Sequence, residues 1–303
     1  MITVGEEEQG ERLDSFLIRH VSGLSRSRLQ SLIRDEYVTC GGKKTKNGYR
    51  VRSGDLIQVI LPSPEEPDIR PVDMPLDILY EDQDILIVNK PQGMTVHPAP
   101  GHTDDTLVNG VMMHCGDSLS GINGVLRPGI VHRIDKDTSG ALVICKNDQS
   151  HRFIADLLKD HRITRVYRGI VSGNLPEEEG TVRGNIGRNP RDRKKMAIVS
   201  EGGKPAVTHY RVLERLSGYT YCEFRLETGR THQIRVHMAS IGHPLLGDPL
   251  YGSGKMPFPL NGQLLHAMII GFPHPSSGEY MEFEAPLPAH FLNALKKLSS
   301  QSI

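Results

Sequence analysis

Pro62, Pro64, Pro67, Pro71 and Pro75 crowd into one short tract. Proline at that density keeps backbone extended and removes amide donors, so neither a helix nor a central strand runs through it. The tract parts a small N-terminal segment from a large remainder, and charge marks the same division. Glu65, Glu66, Asp68, Asp73, Asp77, Glu81, Asp82 and Asp84 oppose Arg70 alone over residues 62–84, whereas residues 11–62 carry ten basic side chains against five acidic. The zero formal net charge of the 303 residues therefore conceals a basic module on an acidic tether. A polyanionic partner would be met by local charge, not by a global field. Residues 62 to 84 read as a linker with the boundary near residue 72, giving a module over 11–71 and a larger domain over 72–303.

Within the module, Leu13, Phe16 and Leu17 recur at helical spacing, as do Leu29, Leu32 and Ile33. Ser25 or Ser27 is placed to cap the second helix, with Arg26 and Arg28 in its first turn, where free amides and positive side chains suit a phosphate. Tyr37 to Cys40 and Leu56 to Leu61 read as strands. A charge run is usually a solvated face, so the basic groups, among them Arg12, Lys43 and Lys44, need support from motifs.

The large domain centres on residues 129 to 146. Ile130-Val131 and Ala141 to Cys145 are β-forming runs too short for helices, joined by the polar segment His132 to Gly140. Asp135 sits mid-loop, two residues after Arg133 and before the turn-forming Thr138-Ser139-Gly140. An Arg-x-Asp alone is commonly a surface ion pair. Around it, Asn89-Lys90-Pro91-Gln92-Gly93 reads as strand and turn punctuation, Leu107 to His114 as a helix, and Gly121 to Pro128 as a loop. His151 to Lys159 reads as a helix with Phe153, Ile154, Leu157 and Leu158 on one face. A strand begins at Arg165-Val166-Tyr167. Residues 183 to 195 form a loop in which Arg188, Arg191, Arg193, Lys194 and Lys195 oppose Asp192, a grip for a phosphate backbone beside a nucleic-acid site. Leu226 to Met238 holds a turn at Thr228-Gly229 and then either a strand or a short helix; Gly242 to Tyr251 is a loop. Pro288 to Leu298 is an amphipathic helix with Phe291, Leu292, Leu295 and Leu298 inward.

Several chemistries are disfavoured. Cys40, Cys115, Cys145 and Cys222 form no Cys-x-x-Cys pair, which speaks against a zinc ribbon or a disulfide framework. The histidines lack paired metal-ligand spacing, and no glycine motif for nucleotide phosphates occurs, so neither metal nor cofactor is expected. The acidic start lacks a leader and no apolar run is long enough to span a membrane, so a soluble cytoplasmic protein is expected. A serine hydrolase would need a Gly-x-Ser-x-Gly elbow, which is missing.

The string His132-Arg133-Ile134-Asp135-Lys136-Asp137-Thr138-Ser139-Gly140 resembles the signature of the RluA/RluD family of RNA pseudouridine synthases. Asn89-Lys90-Pro91-Gln92-Gly93 with His97-Pro98, Arg165-Val166-Tyr167, Gly229-Arg230-Thr231-His232-Gln233-Ile234-Arg235 and Leu264-Leu265-His266-Ala267 resemble further family motifs in the expected order. In the module, Arg12-Leu13-Asp14-Ser15-Phe16-Leu17, Ser25-Arg26-Ser27-Arg28, Tyr37-Val38 and Gly54-Asp55 resemble an S4 RNA-binding domain. The resemblance implies an α+β architecture: an S4 unit followed by a catalytic domain with a mixed, mainly antiparallel sheet. It implies isomerisation of RNA uridines to pseudouridine, with Asp135 as the catalytic carboxylate, Arg235 as its basic partner and Tyr167 stacked on the base. Leu265, with Leu264 as the alternative, covers the base, and Arg133 helps fill the vacated position. Arg12, Arg26, Arg28, Lys43, Lys44 and the five bases of residues 188 to 195 are the RNA contacts. A monomer acting on ribosomal RNA, in preference to transfer RNA, is expected. The rival is a non-enzymatic RNA-binding or ribosome-assembly protein, which would leave the large domain unexplained.

Overall fold

A computed structural model describes residues 1–21, 26–61, 69–99, 101–116, 118–122, 128–252, 254 and 256–300, with the side chains of residues 27 and 28 excepted. The expected caps Ser25 and Ser27, the side chain of Arg28 and most of the loop at 121–128 lie outside the described residues. The chain divides into two compact units, residues 1–66 and 67–303.

In the first unit, β1 (Ile2–Thr3), α1 (Leu13–His20), α2 (Arg26–Arg34), β2 (Val38–Cys40), β3 (Lys43–Lys44) and β4 (Leu56–Val59) build an antiparallel sheet in the order β1-β4-β2-β3. The helical repeat buries Leu13, Phe16 and Leu17 against Leu29, Leu32 and Ile33, with Val38 and Ile57 from the sheet. Each such side chain contributes about 1.5–3 kcal/mol of transfer free energy.

The second unit runs β5 (Ile78–Glu81), β6 (Ile85–Lys90), α3 (Leu107–Cys115), β7 (Ser139–Cys145), α4 (Asp148–Lys159), β8 (Thr164–Ser172), β9 (Glu179–Arg188), β10 (Met196–Ile198), β11 (Lys204–Leu216), β12 (Tyr219–Leu226), α5 (Gln233–Ser240), β13 (Leu265–Pro273), β14 (Tyr280–Glu284) and α6 (Ala289–Ser299). Its strands form one sheet, β10-β9-β11-β12-β8-β13-β7-β6-β5, with β14 also on β13. The β13 and β7 pair is parallel and the remaining pairs are antiparallel. Alternation makes the two faces legible: Leu86, Val88, Leu142 and Ile144 join α3 and α5 in one core, while Ile85, Ile87, Val143 and Cys145 join α4 in the other. At the parallel join, Gly140 has φ +116°, and a Cβ there would lie 2.2 Å from Ala267 O, so only glycine fits.

Several expectations change. The tether does not extend to residue 84: Ile69 is buried, Val72 N donates to Asn109 O at 3.0 Å, and residues 78–81 are β5. The apolar residues Ile69, Leu76 and Ile78 outweigh the surrounding acids and prolines. Ile130-Val131 is not a strand; Ile130 makes one isolated bridge to Ile144. Residues 183–188 belong to β9 because Val182 and Ile186 alternate inward, which leaves only 189–195 as loop. The segment after Thr228-Gly229 is helical, and Leu292 on α6 is 50% exposed, its place inward taken by Ala294. Among the described residues no helix is long and apolar enough to cross a membrane.

Candidate active site

Asp135 lies in the loop that enters β7, and the loop is tied down from both sides. Thr138 N donates to Asp135 O at 3.1 Å, and Gly93 N donates to Lys136 O at 3.0 Å. Lys90, fully buried at the end of β6, sends Nζ to Pro91 O, Met94 O and Lys136 O at 2.9, 2.7 and 3.0 Å. Burial draws its pKa down to about 7, and the charges of Asp137 and Asp135 oppose that. Three carbonyls need three N–H groups, which only the ammonium form supplies. The strand-end residues that sequence reasoning treated as punctuation are thus a clasp on the loop carrying Asp135.

Helix α5 brings Arg235 to the carboxylate. Arg235 Nη1 donates to Asp135 Oδ2 at 2.9 Å, while Nε and Nη2 donate to Asp248 Oδ2 and Oδ1 at 2.7 and 2.9 Å. Asp248 has a fully buried side chain, and its Oδ1 also accepts the amides of Leu250 and Tyr251. Burial alone would raise the Asp248 pKa; the hydrogen bonds and charge of Arg235, with those amides, bring it below the usual carboxylate range. Burial likewise opposes the charge of Arg235, and its two carboxylates more than offset this, raising its pKa. Arg235 is therefore held by one acid and presented to another, an arrangement that keeps a buried guanidinium paired. Asp248 escaped sequence reasoning; its signal was the Gly-Asp-Pro turn, where a carboxylate accepts the amides that follow it.

Among the described residues Asp135 Oδ1 has no hydrogen-bond partner, and His232 Nε2 stands 3.9 Å away. His232 holds a left-handed backbone, φ 57° and ψ 21°, at the start of α5, and its Nδ1 lies 2.8 Å from Tyr251 Oη. Tyr251 Oη also accepts Met196 N at 2.8 Å, which ties the ring of His232 to β10 through one hydroxyl. Burial lowers the His232 pKa despite the Asp135 charge, favouring the neutral ring.

Asp135, His232 and Arg235 line a cavity of about 330 Å³ with Tyr167, Leu265, Arg133, Arg165 and Arg230. Strand register explains the wall: Tyr167 pairs with Ala267 and Gly169 with Leu265, so Tyr167 and Leu265 project from the same sheet face. Leu264 points into the opposite core with Phe291, which separates the two leucines that sequence left open. Burial pushes the Tyr167 pKa up to about 12, keeping the phenol protonated. Arg133 is exposed at the cavity and has no ion pair among the described residues. Four arginines thus surround one carboxylate. Ser139 lies outside this wall, donating to His266 Nδ1 at 2.8 Å while His266 Nε2 donates to Ala285 O at 3.0 Å. Both residues are buried, so the pair fastens β7 to β13.

The remaining basic residues behave unequally. Arg12 Nε and Arg26 Nη2 donate to the buried Asp14, each at 3.0 Å, so both are first of all counter-charges in the small unit. The Arg12 hydrogen bond leads in lowering the Asp14 pKa, against burial and with help from Gln30 and Arg26. Lys44 pairs with Glu36, and Lys43 is exposed without a partner among the described residues. In the 189–195 loop, Arg188 Nη1 donates to Arg193 O at 3.0 Å, Arg191, Arg193 and Lys194 are exposed, and Lys195 is half-buried. Asp82, Asp84 and His274 also converge. Asp82 accepts the amides of Asp84 and Ile85 and the Tyr80 hydroxyl, and meets His274 Nε2 at 2.7 Å, so this group is a turn network with its acceptors engaged.

Comparison with known proteins bears on this geometry. Residues 84–240 match the RNA pseudouridylate synthase family, and residues 11–57 match the S4 domain. The chain is 51% identical over 297 residues to an uncharacterized RNA pseudouridine synthase, YlyB, from Bacillus subtilis, covering 98% of this chain and 97% of the relative. It is 48% identical over 297 residues to the ribosomal large subunit pseudouridine synthase D of Zymomonas mobilis, covering 95% and 93%. Among solved structures, human RNA pseudouridylate synthase domain containing 1 aligns with a TM-score of 0.58 at 29% identity, over 70% of this chain and 83% of that one. An S4 domain followed by a mixed-sheet unit of this kind, matched along nearly its whole length, places the chain in the RluA-type family of RNA pseudouridine synthases, which are isomerases.

Proposed function

We propose that this protein isomerises uridines of large-subunit ribosomal RNA, with Asp135 as the catalytic carboxylate. The observation that carries the reading is a single carboxylate, oriented by Arg235 through one oxygen and, among the described residues, without a hydrogen bond at the other, in a cavity that three further arginines also line. The free Oδ1 either attacks C1′ or takes a proton from C2′; both routes end with the N1–C1′ bond broken. The uracil then turns, C5 joins C1′, and the C5 proton is transferred to N1. The cavity volume suits one flipped nucleobase and is too small for a base pair.

Tyr167 stacks on the base and Leu265 covers it, and Arg133, exposed and without an ion pair among the described residues, fills the place the nucleotide leaves. Lys43 and the 189–195 loop offer free positive charge to phosphates, whereas Arg12 and Arg26 reach RNA only by sharing their charge with Asp14. The relatives named as large-subunit synthases support ribosomal RNA over transfer RNA, and with it a cytoplasmic site of action. The test is turnover of the purified protein on unmodified transcripts of large-subunit ribosomal RNA and of a transfer RNA pool. Pseudouridine is expected in the former; product confined to the transfer RNAs would overturn the choice of substrate.

A further inference from the structure

Arg165 is the cavity residue whose electrostatics the fold leaves unbalanced. It is 9% exposed, its Nε is buried with no hydrogen-bond partner, and its Nη2 donates to Glu227 O at 2.9 Å. No carboxylate lies within ion-pair distance of it among the described residues. Its neighbours add to the burden: Arg230 lines the same cavity, and burial together with the Arg230 charge lowers the Arg165 pKa. A buried guanidinium without an anion is costly, and a ligand that brings negative charge into the cavity relieves that cost. The fold makes room for the guanidinium itself. Nη1 lies against Gly229, where a Cβ would come within 2.5 Å. Tyr167, two residues along β8, extends from the same sheet face toward the same cavity.

We propose that Arg165 stabilises the uracil anion released when the glycosidic bond breaks; this rests on the reading of the cavity as the uridine site. In either route at C1′ or C2′, the electron pair of the N1–C1′ bond leaves with the base, and the negative charge spreads over N1 and the two carbonyl oxygens. Arg165 supplies a fixed positive charge and a donor to one of those oxygens. Held in place before the reaction by Glu227 O and the close approach to Gly229, the guanidinium meets the charge as it develops, which is how preorganised donors lower a barrier. When C5 attacks C1′ and its proton passes to N1, the base is neutral again and the hold on it weakens.

The test varies the leaving group. Arg165→Met is compared with wild type under single-turnover conditions on a large-subunit ribosomal RNA transcript containing uridine, and on the same transcript made with 5-fluorouridine. Loss of the N1-linked nucleoside is followed in both. Fluorine at C5 withdraws electrons and makes the departing base a weaker base, so it needs less help. Removing one donor to developing charge costs about 10²–10³-fold in rate. The variant is expected to show that loss on uridine, about tenfold less loss on 5-fluorouridine, and unchanged RNA affinity; Arg165→Lys recovers part of the rate on uridine. Each variant's ratio between the two RNAs is independent of its folded fraction. Equal losses on both RNAs would overturn the proposal and leave Arg165 a structural residue. Failure of the wild-type protein on the uridine transcript would instead overturn the substrate reading.

Discussion

Arg235 and Asp135 stand 100 positions apart in the chain, yet Nη1 of one donates to Oδ2 of the other at 2.9 Å. The guanidinium edge turned away from Asp135 is occupied by the buried Asp248. The pair is therefore the outer half of a three-residue array, and its geometry depends on the loop after α5 as much as on the helix.

Arg235→Ala is expected to abolish turnover while leaving RNA affinity within a fewfold of wild type, since Asp135 then loses its orienting contact. It also strands Asp248 as an unpaired buried charge, at a cost of about 3–5 kcal/mol in urea unfolding. Asp248→Asn keeps the shape and is expected to lose less stability, with turnover reduced through Arg235. Wild-type turnover in the Arg235 variant would remove that residue from the mechanism.

Lys90→Met removes the donor that the carbonyls of Pro91, Met94 and Lys136 share, and Lys136 O keeps the Gly93 amide. A stability loss of about 1–3 kcal/mol follows, and turnover is expected to fall ~10–100-fold as the Asp135 loop shifts. Chemical denaturation and single-turnover kinetics measure the two effects separately. A stable variant of full activity would show that the clasp is dispensable.

Burial, with the Arg165 charge adding to it, pushes the His132 pKa down to about 3, and its Nε2 accepts the Val143 amide at 3.1 Å. The folded value lies below the unfolded one near 6.5, so between these limits the unfolded chain binds a proton that the folded chain does not. Stability is accordingly complete above about pH 6.5 and is lost as pH falls toward about 3. His237, lowered by burial to about 4, acts with the same sign. Urea melts from about pH 7 to about pH 4 are expected to show this decline, with a shallower slope in His132→Asn. An identical slope in that variant would assign the decline to other groups.

The two units have separate cores, one drawn from residues 2–59 and the others from residue 69 onward. Deleting residues 1–66 is expected to leave cooperative unfolding of the remainder. RNA affinity falls, and the slope of log K against log[salt] becomes shallower by about 2–3 for the loss of three or four phosphate contacts. An unchanged salt slope would mean that the small unit's exposed bases do not meet phosphate.

Motif-bearing residues were legible because their chemistry is local: Asp135 in its loop, Tyr167 on a strand, Arg235 after a turn. What joins them was not. Lys136 O and Lys90 are 46 positions apart, and Asp248 is 13 from Arg235, so no spacing rule connects them. Helix α5 was ambiguous for a physical reason: Gln233 to Met238 are all buried, so no solvent face imposes a helical period. Proline and acidic content likewise masked β5, whose few apolar residues suffice once a neighbouring strand pairs with them. Charge counts could not separate Arg12 and Arg26, committed to Asp14, from Lys43.

If Asp135 carries the isomerisation of ribosomal uridines, its loss is visible in cellular RNA. Carbodiimide labelling and reverse transcription would map pseudouridine on total RNA from cells carrying either the intact gene or Asp135→Ala alone. Specific large-subunit ribosomal sites are expected to be lost in the variant while its protein remains folded and expressed. An unchanged map under those conditions would contradict that role of Asp135.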